Sequence, residues 1–229
     1  LEETPEQQLL CDQFVHGVEK EDGSLERLEF HNEDKFNFAF DIVDGLARRE
    51  PDKLAMVHVA NDMTERRFTF KDMKDASSQA ANYFTSLGVK RGDRVMLVLK
   101  RHYQFWFAIL GLHKLGAIAI PATNQLMEHD FTYRFKAAGV SAIVCTADGD
   151  TAHQVDIAEA DAGVHLTKVL VGGKREGWHD FDAEYGLFSR RYTRTADAPC
   201  GDDPMLMFFT SGTTGYPKIA VHSYKYALG

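Results

Sequence analysis

From residue 94 onward the chain alternates between short apolar runs and helix-length segments, and this alternation restricts the fold more than any other feature. Residues 94–99 form an apolar run, 102–115 a nearly all-apolar segment closed by Gly116, and 117–120 a second run that stops at Pro121. A helical stretch over 128–138 closed by Gly139, an apolar run at 140–145, a helical stretch near 151–160 and a run at 167–171 continue the series. Strands that are apolar throughout suit a parallel sheet buried on both faces, and each parallel step requires a crossover that is usually a helix. The expected fold class is therefore α/β, a layered, parallel-rich sheet with helices on both faces. Ligands of such sheets sit beyond the carboxyl ends of the strands. Tyr103, Phe105, Trp106 and Phe107 open the 102–115 helix, whose apolar residues run round its circumference, so a buried core helix is expected there.

Upstream, residues 36–49 place Phe38, Ile42, Val43 and Leu46 on one helical face, ending before Pro51. Residues 55–59 and 66–70 read as a β-hairpin with a longer loop over 61–65. A helix then starts at Thr69 or Lys71, presents Met73, Ala76, Ala80, Phe84 and Leu87, and stops at Gly88. Residues 1–35 are acidic and mixed, and a peripheral helix and loop are expected. Residues 178–190 read as an amphipathic helix and 196–204 as a loop.

The charge balance argues about partners. With 26 Lys and Arg against 34 Asp and Glu, the net charge is -8, which does not supply the basic face a nucleic acid needs. Mean hydropathy of -0.31 fits a soluble globular chain. The longest apolar stretch, 105–112, falls far short of the roughly 20 residues of a membrane span. Cys11, Cys145 and Cys200 are odd in number and widely spaced, which suits a reducing compartment, taken to be the cytoplasm, and argues against disulfides or a cysteine-based metal site. The ten histidines show no H-x-x-x-H spacing, and no metal ligands are assigned.

The chemistry is concentrated near the end. Met205-Leu-Met-Phe-Phe209 is an apolar run of strand length that delivers the backbone into Thr210-Ser-Gly-Thr-Thr-Gly-Tyr-Pro-Lys218. Gly212 and Gly215 let the main chain approach an anion closely, Thr210, Ser211, Thr213 and Thr214 add uncharged donors, and Lys218 adds a flexible point charge suited to a β- or γ-phosphate. A Walker A loop is excluded, because its glycine spacing differs and its lysine opens a helix, whereas 219–221 here reads as a returning strand. No G-x-G-x-x-G is present either. A polar hairpin loop that binds nothing remains the competing reading of the same residues.

The 210–218 stretch resembles the phosphate-binding signature of the AMP-forming adenylating superfamily, matching it at every signature position, with Tyr216 and Pro217 before Lys218. Within that superfamily Phe36-Asn-Phe-Ala39, Arg91-Gly-Asp-Arg-Val95, Ile118-Ala-Ile-Pro-Ala-Thr123 and His222-Ser-Tyr224 are most similar to the medium-chain acyl-CoA synthetase and acetyl-CoA synthetase branch. The resemblance implies activation of a carboxylic acid, a short- or medium-chain fatty acid, by Mg-ATP to an acyl-adenylate, followed by transfer to coenzyme A. It implies ATP, Mg2+ and coenzyme A as cofactors, ATP phosphate contacts across 210–218, and a coenzyme A contact at Gln125. It further implies that 1–35 is a peripheral segment and that 36–229 is the N-terminal part of an adenylate-forming domain. The superfamily's magnesium-linked glutamate, ribose-binding aspartate and small-domain lysine have no counterpart in these residues. No catalytic residue is therefore assigned, and the chain alone is expected to be inactive and to self-associate through sheet edges left uncovered. A nucleotide-binding or regulatory module without catalysis is the alternative.

Overall fold

The computed structural model describes residues 9–211 and 215–228. The chain opens on a hairpin, β1 (Val15–Glu19) and β2 (Leu25–Phe30), where a peripheral helix was expected. The reason lies in the turn: Asp22 accepts from the amide and hydroxyl of Ser24, and Gly23 takes φ +80°, which fixes a reversal between two strand-forming arms.

Residues 39–49 are helical, but a π turn at Ala39–Val43 precedes α1 (Asp44–Arg49). The wider turn shifts the helical phase, so the buried face is Phe36, Phe40, Val43 and Ala47 rather than one led by Phe38 and Ile42. Asn37 explains why the chain enters here. Its fully buried amide donates to the carbonyls of His113, at 3.1 Å, and Pro199, at 2.8 Å, while its oxygen accepts from the amides of Ala39 and Phe40. One side chain thus joins three distant segments. Asn37→Ala is expected to cost about 3 kcal/mol, because buried backbone groups lose their partners and the helix loses its cap, and urea unfolding monitored by circular dichroism checks it.

The expected hairpin is β3 (Leu54–Val59) with β4 (Glu65–Thr69), and α2 (Phe70–Ser86) follows. Thr69 caps α2 in a reciprocal arrangement with Asp72, and Gly88 closes it at φ +86°. The alternation then proceeds through β5 (Arg94–Val98), α3 (Gln104–Leu115), β6 (Ile118–Pro121), α4 (Glu128–Ala138), β7 (Ala142–Thr146), α5 (Thr151–Ala162) and β8 (Thr167–Val171). In place of the long helix expected over 178–190 stand a two-residue strand, β9 (His179–Asp180), a short helix, α6 (Phe181–Glu184), and one 3-10 turn. Asp180 pairs alongside β8 and also caps α6, so the chain extends the sheet before it can wind. The hairpin β10 (Pro204–Thr210) and β11 (Lys218–Ser223) completes the sheet.

The seven strands lie in the order β11-β10-β6-β5-β7-β8-β9, all parallel except β11. One core packs α2 and α3 against Val95, Leu97 and Val144; the other packs α4 and α5 against Met96, Val98 and Ile143. Alternate residues of the same strands thus feed opposite faces, as the uninterrupted apolar runs require. Neighbouring strands β5 and β6 lead into helices on opposite faces, so their outgoing loops diverge and leave a crevice lined by Leu99, His102, Trp106, Pro121 and Thr123. Trp106 is half exposed in this crevice, which corrects the expectation of an all-round buried helix: at this position α3 faces the crevice, while Gln104 and Phe107 of the same turn are buried.

Candidate phosphate site

The site rests on β10. Met207 and Phe209 point to the α4 and α5 side, and Phe208 to the α2 and α3 side, so the strand is gripped from both faces up to its last turn of alternation. Because β10 runs parallel to β6, through the pairing of Leu206 with Ala119, the chain leaves Thr210 at the carboxyl edge. That edge is where an α/β sheet receives its ligands.

Thr210, Ser211, Gly215, Tyr216 and Lys218 are exposed there, and Pro217 is half-buried. Gly212, Thr213 and Thr214, which the sequence assigns to the same phosphate cradle, lie outside the described residues. Gly215 has φ +130°, a region that side-chain-bearing residues avoid. The Lys218 side chain is exposed, and its ammonium forms no ion pair and no hydrogen bond with a described residue.

The backbone around Lys218 is held more firmly than its side chain. The carbonyl of Pro217 accepts from the Tyr133 hydroxyl at 2.9 Å, and the carbonyl of Lys218 accepts from the Thr210 hydroxyl at 3.3 Å. Tyr133 also stacks on Tyr216, with ring centroids 4.6 Å apart and planes 20° apart. Next to it on α4, the Arg134 guanidinium lies 5.1 Å from the Phe209 ring centroid and donates to the Asp130 carbonyl and carboxylate. Sequence reasoning missed Tyr133 and Arg134. Phe131, Phe135 and Ala138 mark the buried face of α4, and an aromatic residue at 133, off that face, was the available signal.

Gln125 is exposed in the loop after β6, where its backbone N–H donates to the Thr123 hydroxyl. The cleft it lines is formed with Lys100, Asp148, Asp150, Thr151 and Gln154, whereas Tyr216 lines a separate cleft with Glu128, Thr132, Tyr133 and Lys136. The two assignments thus share the carboxyl edge but not one pocket. In the loop after β5, His102 hydrogen-bonds the Thr146 hydroxyl at 2.8 Å, and burial holds its pKa below the ordinary imidazole value despite the nearby Asp148 carboxylate. Among the described residues no group of three or more His, Cys, Asp or Glu side chains is arranged to hold a metal ion. No helix among them is long and apolar enough to cross a membrane.

A mostly parallel sheet with helices on both faces and an exposed lysine and hydroxyls at its carboxyl edge places the chain among the α/β proteins that receive ligands at that edge. The AMP-binding enzyme family profile matches residues 43–229, and the chain belongs to that family. It is 36% identical over 202 residues to human mitochondrial acyl-coenzyme A synthetase ACSM1, covering 85% of this chain and 34% of the relative. Rat mitochondrial acyl-coenzyme A synthetase ACSM5 is likewise 36% identical over 206 residues, with 85% and 34% covered. The chain thus spans about a third of the length of these curated relatives. Among solved structures, a Brucella canis acyl-CoA synthetase superposes with TM-score 0.73 at 24% identity, covering 86% of this chain and 35% of the other. An anthranilate CoA ligase solved with anthranoyl-AMP gives TM-score 0.70 at 23% identity, covering 84% and 35%. Both support the fold.

Proposed function

We propose that the protein to which these residues belong is an AMP-forming acyl-CoA synthetase that activates a short- or medium-chain fatty acid and passes the acyl group to coenzyme A. The observation that carries this reading is the exposed Lys218 side chain, without an ion pair among the described residues, at the carboxyl edge of the sheet beside the exposed Ser211. Lys218 would hold the β- and γ-phosphates of ATP, and Ser211, with Thr213 and Thr214, would donate hydroxyl hydrogens to their oxygens. ATP supplies the electrophilic α-phosphorus and the pyrophosphate leaving group; the carboxylate oxygen forms the new bond to phosphorus. What these residues contribute is position and charge neutralisation, the larger part of catalysis in such transfers. The single hydrogen of Thr210 is directed at the Lys218 carbonyl, which suits it to shaping the loop rather than to donating to phosphate.

Mg2+ is proposed to enter with the nucleotide, and coenzyme A to pass near Gln125. The domain assignment, with 36–229 as the N-terminal part of an adenylate-forming domain, belongs to the same proposal, as does self-association of the isolated chain through the edge strand β11, where Val221 is exposed. For the compartment we propose a reducing one. The three cysteines are unpaired and burial pushes the Cys145 thiol up to about 12; the relatives' names favour the mitochondrion over the cytoplasm expected from sequence.

Carboxylate-dependent exchange of labelled pyrophosphate into ATP, run on the full reading frame with acetate, butyrate, octanoate and benzoate, tests the proposal. Exchange is expected with at least one fatty acid, and Lys218→Ala should lower kcat/KM for ATP roughly a hundredfold, as loss of a positioned charge-stabilising group does. The 229-residue chain alone should show none. A folded full-length protein that exchanges with no acid would leave nucleotide binding without chemistry as the reading.

A further inference from the structure

We infer that Tyr133, on α4, is a positioning residue for the phosphate lysine, setting the backbone from which Lys218 reaches the nucleotide. The inference rests on the adenylating reading of the 210–218 segment and extends it to a residue outside that segment. Three observations converge. The Pro217 carbonyl belongs to the peptide unit that also contains the Lys218 amide, so the 2.9 Å bond from the Tyr133 hydroxyl fixes the peptide plane on the N-terminal side of Lys218. The Thr210 hydroxyl holds the Lys218 carbonyl, fixing the plane on its other side. With both planes held, the direction in which the side chain leaves the main chain is set, while the ammonium itself stays exposed.

The face-to-face stack of Tyr133 on Tyr216 adds a second grip one residue earlier, and the edge contact of Tyr133 with Phe209, 6.2 Å between centroids, ties the same ring to the outgoing strand. Tyr133 therefore touches the strand that enters the loop and the limb that leaves it. Its support is rigid: Phe131 and Phe135, two positions to either side, are fully buried in the core that α4 and α5 form against the sheet. A helix anchored in this way transmits the geometry of the sheet to Lys218. The pyrrolidine of Pro217 narrows the backbone further by restricting its own φ.

The variant that separates position from packing is Tyr133→Phe, which keeps the stack and deletes only the hydroxyl. In the full reading frame, pyrophosphate exchange by Tyr133→Phe should show KM for ATP raised roughly fivefold, the equivalent of one hydrogen bond, with KM for the carboxylate and the melting temperature unchanged. Tyr133→Ala should raise it further because the Tyr216 stack is lost as well. In the Lys218→Ala background the same Tyr133→Phe change should have no additional effect, since a residue that acts only through Lys218 has nothing left to position. Hydrogen exchange of a peptide covering 215–223 should quicken in Tyr133→Phe while peptides from α4 stay as in the parent.

An unaltered ATP KM in Tyr133→Phe would overturn the inference, and so would a full additive effect in the Lys218→Ala background. Should the parent protein exchange no pyrophosphate with any acid, the adenylating reading fails. Hydrogen exchange of 215–223 and the affinity for Mg-ATP by calorimetry then decide the role of Tyr133 on their own, unchanged values in Tyr133→Phe refuting it.

Discussion

Replacing Lys114 by methionine will destabilise the protein by about 3–5 kcal/mol, the cost of leaving one partner of a buried ion pair without the other. Lys114 lies in the last turn of α3 with a side chain wholly removed from solvent, and its ammonium is 2.9 Å from the Asp44 carboxylate, itself 5% exposed. The Ser78 hydroxyl at 3.1 Å and the Lys74 carbonyl at 3.4 Å complete the ammonium's surroundings, and the Phe40 ring lies 5.7 Å away. One side chain thus connects α1, α2 and α3 at the point where the first core closes. Methionine keeps the length and most of the volume of lysine, so the loss measured is electrostatic rather than a cavity.

The same surroundings decide what the pair itself contributes. Burial pushes the Lys114 ammonium below its ordinary pKa and the Asp44 carboxyl above its own, each opposed by the partner's charge. Desolvation is the larger influence on both, so the pair is a device for matching the two helices rather than a source of net stability. Lys114→Met combined with Asp44→Leu should therefore regain most of what Lys114→Met loses, ending within about 1 kcal/mol of the parent or above it. Urea midpoints of the parent, the two single variants and the double variant give the coupling directly. A single-variant loss below about 1 kcal/mol would show that the uncompensated Asp44 carboxylate relaxes to water or takes up a proton without strain.

The legibility of the chain follows the range of the interactions involved. Gly116 and Gly139 close helices that the periodicity of 102–115 and 128–138 marks out, because a left-handed terminal residue is a local demand that glycine satisfies. The all-apolar strands announce a two-sided sheet for the same local reason. Lys114 carries no such mark: a basic residue in the last helical turn is what any solvated helix end shows, and its burial is decided by Asp44, seventy positions earlier. The π turn before α1 escaped because helical phase was read at 3.6 residues per turn across a segment where it is wider. β9 escaped because two residues are too few to display a period.

At the site, the position of the 210–218 segment at the carboxyl edge was legible, since an apolar strand feeding a glycine-containing reversal fixes both the exit and the return. The grip of Tyr133 on that segment was not, because it joins residues more than eighty apart through one hydroxyl. The restriction of Gln125 to a different cleft was also hidden, since it depends on which loops diverge at the junction of β5 and β6.

His113 contributes to the acid limb of stability. Its ring is buried beside Tyr224, with Nε2 lacking a hydrogen-bond partner among the described residues, and burial alone pushes its pKa down to about 3. The unfolded chain binds a proton on this side chain near pH 6.5, whereas the native state refuses it until about pH 3. Between those values the unfolded state holds one more proton, so stability falls as the pH is lowered, by about 1.4 kcal/mol per unit. The loss is about 2 kcal/mol at pH 5 and, if the fold persists, about 5 kcal/mol at the bottom of the window. Above pH 6.5 both states are neutral at this position and the contribution is flat.

His113→Leu removes the titration while sparing the bonds that matter locally, because Asn37 and Tyr224 both donate to the backbone carbonyl of residue 113 rather than to its ring. At pH 7.5 the variant should equal the parent to within about 1 kcal/mol, an unpartnered buried nitrogen having been exchanged for methyl groups. Toward pH 4.5 it should become the more stable of the two by a margin that grows with the slope of a single proton. Urea midpoints of both proteins across that range give the difference, in which the carboxylates common to both cancel. A difference that stays constant with pH would mean that the imidazole is protonated in the native state, and that water or a rearranged neighbour reaches Nε2.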